Sequence, residues 1–413
     1  MSRVKSLIRP VMSADFKIVS DNGSLLDGIV FYARLLENYT KACYGLVNST
    51  KKPYLIDPET PIFCLDPSQF WKEDENVPKD SYMALAGRLG PPISKAAEEN
   101  RRLRDSDFYD ETGKLDSAMV KSLVTNVFEF ERKVFDELSN SLRTGLFRFL
   151  VDESESIVPQ PEALVPPYFL LDSLAGNRWY EINKEIATIA IALKGNFRLY
   201  MPLFIAESLL ETSRAQLIKD FVLPSGIDGV LLWVNNLNEE EATAPPLKSY
   251  ASLIKEISET KKDLILMYGG FLSLSLAQLG ISGVSSGMQF WNYRDINKVP
   301  GGRILKRYYV ERLHKFMQYP EFRRLIKGYG AASCSCDYCQ QQIYVQADPP
   351  LSALKGHFVH ARSNEVQYVN SFPSFSSLKE QLLNEFNQIL TDPKVPPQDK
   401  RHLESWASVL DAL

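Results

Sequence analysis

Residues 229–268 read GVLLWVNNLNEEEATAPPLKSYASLIKEISETKKDLILMY. Two short apolar runs, GVLLWV (229–234) and DLILMY (263–268), flank a segment, LKSYASLIKEISETKK, whose apolar residues recur at helical spacing. A run that is apolar without alternation is a strand buried on both faces, and two such strands in parallel need a crossover, usually a helix. The same unit recurs outward along the chain. LFRFLV (146–151), PYFLL (167–171), FRLYMPLFI (197–205) and GISGVSS (280–286) are further apolar runs, with the helical patterns RWYEINKEIATIAIALKG and ESLLETSRAQLIKDFV between them. Upstream, FKIVS and GIVFYARLL predict an opening hairpin and a helix, and Pro53-Tyr-Leu-Ile-Asp57 is a short run ending on an aspartate. Seven or eight units over roughly 300 residues predict an α/β fold of the (β/α)8 barrel type. No glycine-rich dinucleotide or phosphate-binding fingerprint follows the strands, which disfavours an open doubly wound sheet.

Two segments interrupt this rhythm. Residues 72–145 are polar and amphipathic, and they predict a helical insertion over one end of the barrel. After residue 300, GGRILKRYYVERLHKFMQYPEFRRLIKGYG (301–330) predicts basic helix, followed by a cysteine cluster, a helix around 351–369 and a last helix, SLKEQLLNEFNQIL. The expected organisation is a barrel over 1–300 and a basic, metal-binding subdomain over 301–413.

The chain has 413 residues, 45% hydrophobic and 24% charged, an ordinary globular composition. It contains no apolar stretch approaching the ~20 residues that cross a bilayer. The basic start, MSRVKSLIRPVMSADFK, lacks the apolar centre of a secretory signal, so the expected location is the cytoplasm, away from membranes. A net charge of −4 excludes global basicity, so any nucleic-acid surface must be a local patch. Assembly is left open, a homodimer included.

Three of the five cysteines, Cys334, Cys336 and Cys339, fall within six positions, which is metal-ligand spacing rather than a disulfide framework. His357 and His360 follow within LKGHFVHARSNEV. Three thiolates and one imidazole complete a tetrahedral zinc shell with no position for water, which makes the site structural. An iron–sulfur cluster would take a fourth cysteine, and Cys43 and Cys64 are remote in sequence. Thiols that are merely buried are the other alternative. The histidines lie three apart on one helix face; His357 is preferred as ligand, with His360 the alternative.

In a parallel barrel, chemistry collects at the carboxyl ends of the strands. Those ends carry Asp57 and Asp172, the pair Asn235 and Asn236, then Tyr268, Gly269 and Gly270, and finally Ser285 and Ser286. Two carboxylates, amides, hydroxyls and a glycine pair open to backbone approach make a polar pocket. Each also has a plain structural role available, as a turn residue or helix cap. The basic segment from Arg303, Lys306 and Arg307 onward is the best phosphate-tracking candidate; a solvated helix face is its alternative.

An early strand-end aspartate, a second one mid-barrel, a late glycine-bearing strand and then C-x-C-x-x-C…H resemble the tRNA-guanine transglycosylase superfamily, including the DpdA-like enzymes that place deazaguanines in DNA. The resemblance spans roughly residues 50–370, and only the metal motif is sharp. It implies a barrel that receives a flipped nucleotide and breaks its N-glycosidic bond, with the zinc subdomain helping to hold the nucleic acid. By that resemblance Asp57 in IDPET is the early acid/base aspartate and Asp172 in YFLLDS the aspartate that reads the base. The stretch matching the nucleophile's strand, Ser282-Gly-Val-Ser-Ser286, has no carboxylate, and the base-binding loop reads Trp233-Val-Asn-Asn-Leu. The glutamine expected after the mid-barrel strand is absent from MPLFI, and the histidine arrives early.

Base exchange needs a covalent hold on the sugar, and a carboxylate nucleophile provides it. Its absence favours hydrolysis, with Asp57 stabilising the sugar cation and activating water, and Asp172 gripping the base or protonating it. The expected function is therefore a DNA glycosylase that removes a modified base, an activity suited to antiviral defence against modified phage DNA. DNA is favoured over tRNA as partner. A transglycosylase and a catalytically inert nucleic-acid-binding subunit are the alternatives.

Overall fold

The computed structural model describes residues 3–72, 77–136, 158–288, 294–297, 305–329 and 334–413. The chain opens with β1 (Lys5–Arg9), α1 (Ser13–Asp21), β2 (Gly28–Tyr32), α2 (Ala33–Thr50) and β3 (Tyr54–Asp57). A helical insertion follows, with α3 (Asp80–Leu89), α4 (Ile93–Glu98) and α5 (Ser117–Lys133). The alternation resumes with α6 (Arg178–Leu193), β4 (Tyr200–Ala206), α7 (Leu209–Thr212), α8 (Arg214–Phe221), β5 (Gly229–Asn235), α9 (Ala244–Glu259), β6 (Asp263–Met267), α10 (Phe271–Ser275) and β7 (Gly283–Gly287). Last come the hairpin β8 (Arg307–Val310) and β9 (Lys315–Gln318), then α11 (Tyr319–Tyr329), α12 (Leu351–Asn370), α13 (Phe375–Thr391) and α14 (Pro397–Ala412).

β1 to β7 form one parallel sheet in the order β3-β2-β1-β7-β6-β5-β4. It curls like a barrel wall, with helices outside. The segment 162–171, which contains the predicted run PYFLL, is bonded to both edges of this sheet. Glu162 N donates to Tyr54 O of β3 (2.9 Å) and Tyr168 N to Thr60 Oγ1 just beyond it (2.9 Å). On the other side, Leu164 and Leu171 make parallel bridges to Leu199 and Ile205. Proline at 166 and 167 cannot donate to a ladder, which explains bridges rather than a regular strand here. Inside the curl, Phe204 stacks on Trp233 (3.8 Å, 18°), and Trp233 meets Tyr268 (4.9 Å).

Several expectations change. FKIVS is not part of a hairpin: it lies in α1, whose inner face buries Phe16, Ile18 and Val19, and KSLIR is the first strand. Residues 307–318 are not basic helix but an antiparallel hairpin. RYYV pairs with KFMQ around His314, whose φ of 51° forms the left-handed turn that a helix would not permit. LFRFLV (146–151) and Arg303 lie outside the described residues. The insertion is helical as expected over its described part.

The 301–413 region is knitted into the sheet. α12 covers β1 and α1, with a buried Lys355–Asp15 ion pair (2.5 Å). Asn370 exchanges two hydrogen bonds with the backbone of Val4, at 2.9 and 3.0 Å. Among the described residues, no helix is long and apolar enough to cross a membrane.

Candidate functional site

The cysteine cluster and one histidine converge. The ligand atoms of Cys334, Cys336, Cys339 and His357 lie within 4.8 Å of one another. Cys336 O accepts from Cys339 N (3.0 Å) and Gln340 N (3.1 Å), a tight turn that brings the sulfurs together. His357 Nδ1 lies 3.4, 3.6 and 3.4 Å from Cys334, Cys336 and Cys339 Sγ. A tetrahedron with Zn–S of about 2.3 Å and Zn–N of about 2.0–2.1 Å has S···N edges of about 3.5 Å, so the donors fit a metal ion of that size. The imidazole is oriented from behind. Its Nε2 donates to Tyr309 O (2.7 Å), which leaves Nδ1 as the lone-pair donor toward the sulfurs. Tyr308 stacks flat on the ring (4.3 Å, 5°), and its hydroxyl lies 3.4 Å from Cys339 Sγ.

His360 turns to the ring of Tyr338 instead (5.8 Å), so the structure selects His357. Gly356 permits this approach, because a Cβ there would sit 2.4 Å from Tyr338 Cζ. With all four positions taken by protein, the centre can brace the cysteine loop, α12 and the β8–β9 hairpin but has no open position for substrate.

The carboxyl end of the sheet is organised around Arg9, a residue the sequence did not single out. Its side chain is wholly buried. It donates to Ser285 Oγ (2.9 Å), Tyr268 Oη (2.7 Å) and Asp57 Oδ2 (3.1 Å). Asp57 Oδ1 accepts from Tyr168 Oη (2.7 Å) and Glu59 N (3.0 Å). Tyr268 also meets Tyr32 Oη (3.3 Å) and Arg294 (2.8 Å). Asp57 and Ser285 are thus tied together through Arg9, while Ser286, the next residue of β7, is buried on the opposite face of the strand.

A second ionic group lies next to this one. Glu59 is buried and accepts a two-point contact from Arg34, Nε at 3.2 Å and Nη2 at 3.0 Å, with Arg294 at 3.7 Å. Burial alone would raise the Glu59 pKa, but the two guanidiniums outweigh it and hold the carboxyl below the ordinary glutamate value. Glu59, Asn236 and Tyr268 have φ of 53°, 60° and 59°, left-handed backbone at the ends of β3, β5 and β6. For glutamate and tyrosine this conformation is strained, and such residues collect at functional sites.

The other predicted residues have local partners. Asp172 is exposed and accepts from Ser173 Oγ (3.1 Å) and Asn177 Nδ2 (2.6 Å) just before α6; no hydrogen bond joins it to Asp57. Asn235 Oδ1 accepts from Ile296 N (2.9 Å) and Asn236 N donates to Arg294 O (3.0 Å), so this pair anchors residues 294–297. Gly269 and Gly270 admit protein rather than open space: a Cβ would lie 2.5 Å from Val284 Cγ1 at the first and 2.7 Å from Glu239 Oε2 at the second. Glu239 accepts from Gly270 N (3.0 Å) and Ser273 N (3.2 Å). In the basic segment, Lys306 pairs with Asp348 (2.6 Å), Arg312 with Asp392 (2.7 Å) and Lys315 with Asp399 (3.4 Å). Arg307 is half-buried in β8.

A cavity of about 380 Å³ opens beside the mouth, between α2, the start of the insertion and Arg294. Glu59 and Arg34 line it and Asp57 does not. Arg9, Arg34 and Arg294 carry no local motif; Glu59 lies in IDPET, two residues after Asp57, and that strand-end aspartate was the signal for this corner. No family model matches the chain, and no curated protein sequence matches it.

Proposed function

We propose that this protein acts on the N-glycosidic bond of a nucleic acid, as a DNA glycosylase that hydrolytically removes a modified base. The observation that carries the proposal is an acid-bearing strand-end mouth in the same chain as a closed Cys3His cluster whose histidine lies on α12, the helix packed over β1. In this reading 162–171 is an irregular eighth strand that closes a (β/α)8 barrel, α12 is its eighth helix, and the centre holds structural zinc. The metal would brace the cysteine loop and the hairpin and take no part in the reaction.

The end of β7 favours hydrolysis over exchange. Ser285 and Ser286 stand where a covalent exchange enzyme needs a carboxylate, and Ser285 is already a partner of Arg9. The base leaves the stack and the N-glycosidic bond breaks as Asp172 protonates the departing base. Water adds to the sugar carbon and gives its proton to Asp57, which also stabilises the developing positive charge. Arg303, Lys306 and Arg307 would meet the phosphates, and antiviral defence in the cytoplasm is the setting such chemistry suits. The burial of Asp57 against Arg9 favours a second reading, an inert nucleic-acid-binding subunit, because a carboxylate so enclosed cannot meet a sugar without rearrangement.

Mass spectrometry of free bases and abasic sites, after incubating the protein with modified phage DNA, tests this. Base release that is lost in a folded Asp57→Asn variant is expected. Incorporation of labelled free base would establish exchange instead, and no reaction with retained DNA binding would establish the inert subunit.

A further inference from the structure

We propose that the cavity beside the mouth is a nucleotide-binding site, taking an aromatic heterocycle and its phosphate together. Naming the ligand a nucleotide rests on the base-processing proposal; the site itself rests on four observations. The first is an unmatched acceptor. Gln69 Oε1 is buried in the cavity wall and has no hydrogen-bond partner among the described residues, so it calls for a donor such as a ring N–H or exocyclic amine.

The second is a prepared cation. Arg34 lies over Phe70 (5.2 Å to the ring) and directs Nε and Nη2 at Glu59, so its plane is fixed while its side chain stays 29% exposed. A guanidinium held in this way presents its remaining N–H edge without further ordering, which suits a phosphate oxygen. The third is charge. Among the described lining residues, Arg34, Arg294 and the exposed Lys79 outnumber Glu59, which favours an anionic ligand over a cationic one. The fourth is a displaced aromatic. α2 breaks its helical geometry at Tyr39 (φ −135°, ψ 36°), next to Thr40, whose hydroxyl bonds back to Leu36 O (2.6 Å). The break leaves Tyr39 42% exposed at the cavity rim, a position suited to stacking on a base. The volume, about 380 Å³, lies in the range of small-ligand sites.

The test is equilibrium titration of the full-length protein with deoxynucleoside 5′-monophosphates, the matching nucleosides and inorganic phosphate. Saturable binding of at least one monophosphate is expected, tighter than its nucleoside. Lys79→Ala, at an exposed position, should weaken the monophosphate about 3- to 10-fold and leave the nucleoside unchanged. Gln69→Leu should weaken both by about 3- to 10-fold. Absence of binding at millimolar monophosphate overturns the proposal, as does binding that ignores both substitutions, or phosphate alone binding as well as the nucleotide. Monophosphate binding without base release from modified DNA would keep the site and remove the reaction; base release untouched by both substitutions would do the reverse.

Discussion

Replacing Asp57 by alanine removes the one anion among the described residues that pairs with Arg9. The guanidinium has no exposure to water, and its Nη2 lies 3.1 Å from Asp57 Oδ2. At an effective dielectric of about 20 that pair interacts by about 5 kcal/mol. Breaking one side of a buried pair typically costs about 3–5 kcal/mol, because the remaining charge stays desolvated. Arg9 keeps hydrogen bonds to Ser285 and Tyr268 and faces the rings of Tyr32 (4.9 Å) and Tyr268 (4.4 Å), which moves the expected cost to the lower end, about 3 kcal/mol. Tyr168 Oη and Glu59 N lose their acceptor as well. Arg9→Met alone should cost a similar amount, and the double variant should be less destabilised than the sum by about 2 kcal/mol. Urea unfolding followed by two probes, to verify a single transition, measures all four proteins. Asp57→Ala within about 1 kcal/mol of wild type, or strict additivity in the cycle, would refute the reasoning. The same numbers make Asp57→Asn, checked for folding, the better variant in any activity assay.

Two further outcomes are expected. Elemental analysis should find about one zinc per chain, lost in His357→Ala or Cys339→Ser together with ordering of the hairpin, and retained in His360→Ala; a well-folded protein without metal contradicts the fit. Glu240, next to Glu239 and partly exposed, has its carboxyl pushed up to about 7, chiefly by burial, with Glu239 adding and Lys315 opposing. A folded pKa above the unfolded value means that its contribution is fully present below about pH 4.5 and lost as pH rises through about 7. Glu240→Gln should therefore gain about 1–2 kcal/mol over wild type at pH 8 relative to pH 5, after discounting for its exposure; equal stability differences at both values would contradict this.

By itself the sequence determined what is local. Apolar runs separated by helical periods specify parallel strands and crossover helices, because burial on both faces leaves few other ways to satisfy the backbone. Cys334, Cys336, Cys339 and the nearby histidines specify a cluster that could hold a metal ion, because soft donors at that spacing meet wherever the loop turns. The hairpin at 307–318 was hidden because basic residues surround its two adjacent buried tyrosines, Tyr308 and Tyr309, and charge alone does not separate an exposed helix face from an exposed strand. Tertiary structure decided the rest. His357 rather than His360 follows from a hydrogen bond to Tyr309, 48 residues away. Arg9 stands in a basic N-terminal stretch that reads as unremarkable, yet its partners lie 48, 259 and 276 residues downstream. The cations of the late basic segment found carboxylates at 348, 392 and 399. A buried charge is tolerable only where the fold delivers a partner, and which partner arrives depends on how distant strands and helices stack.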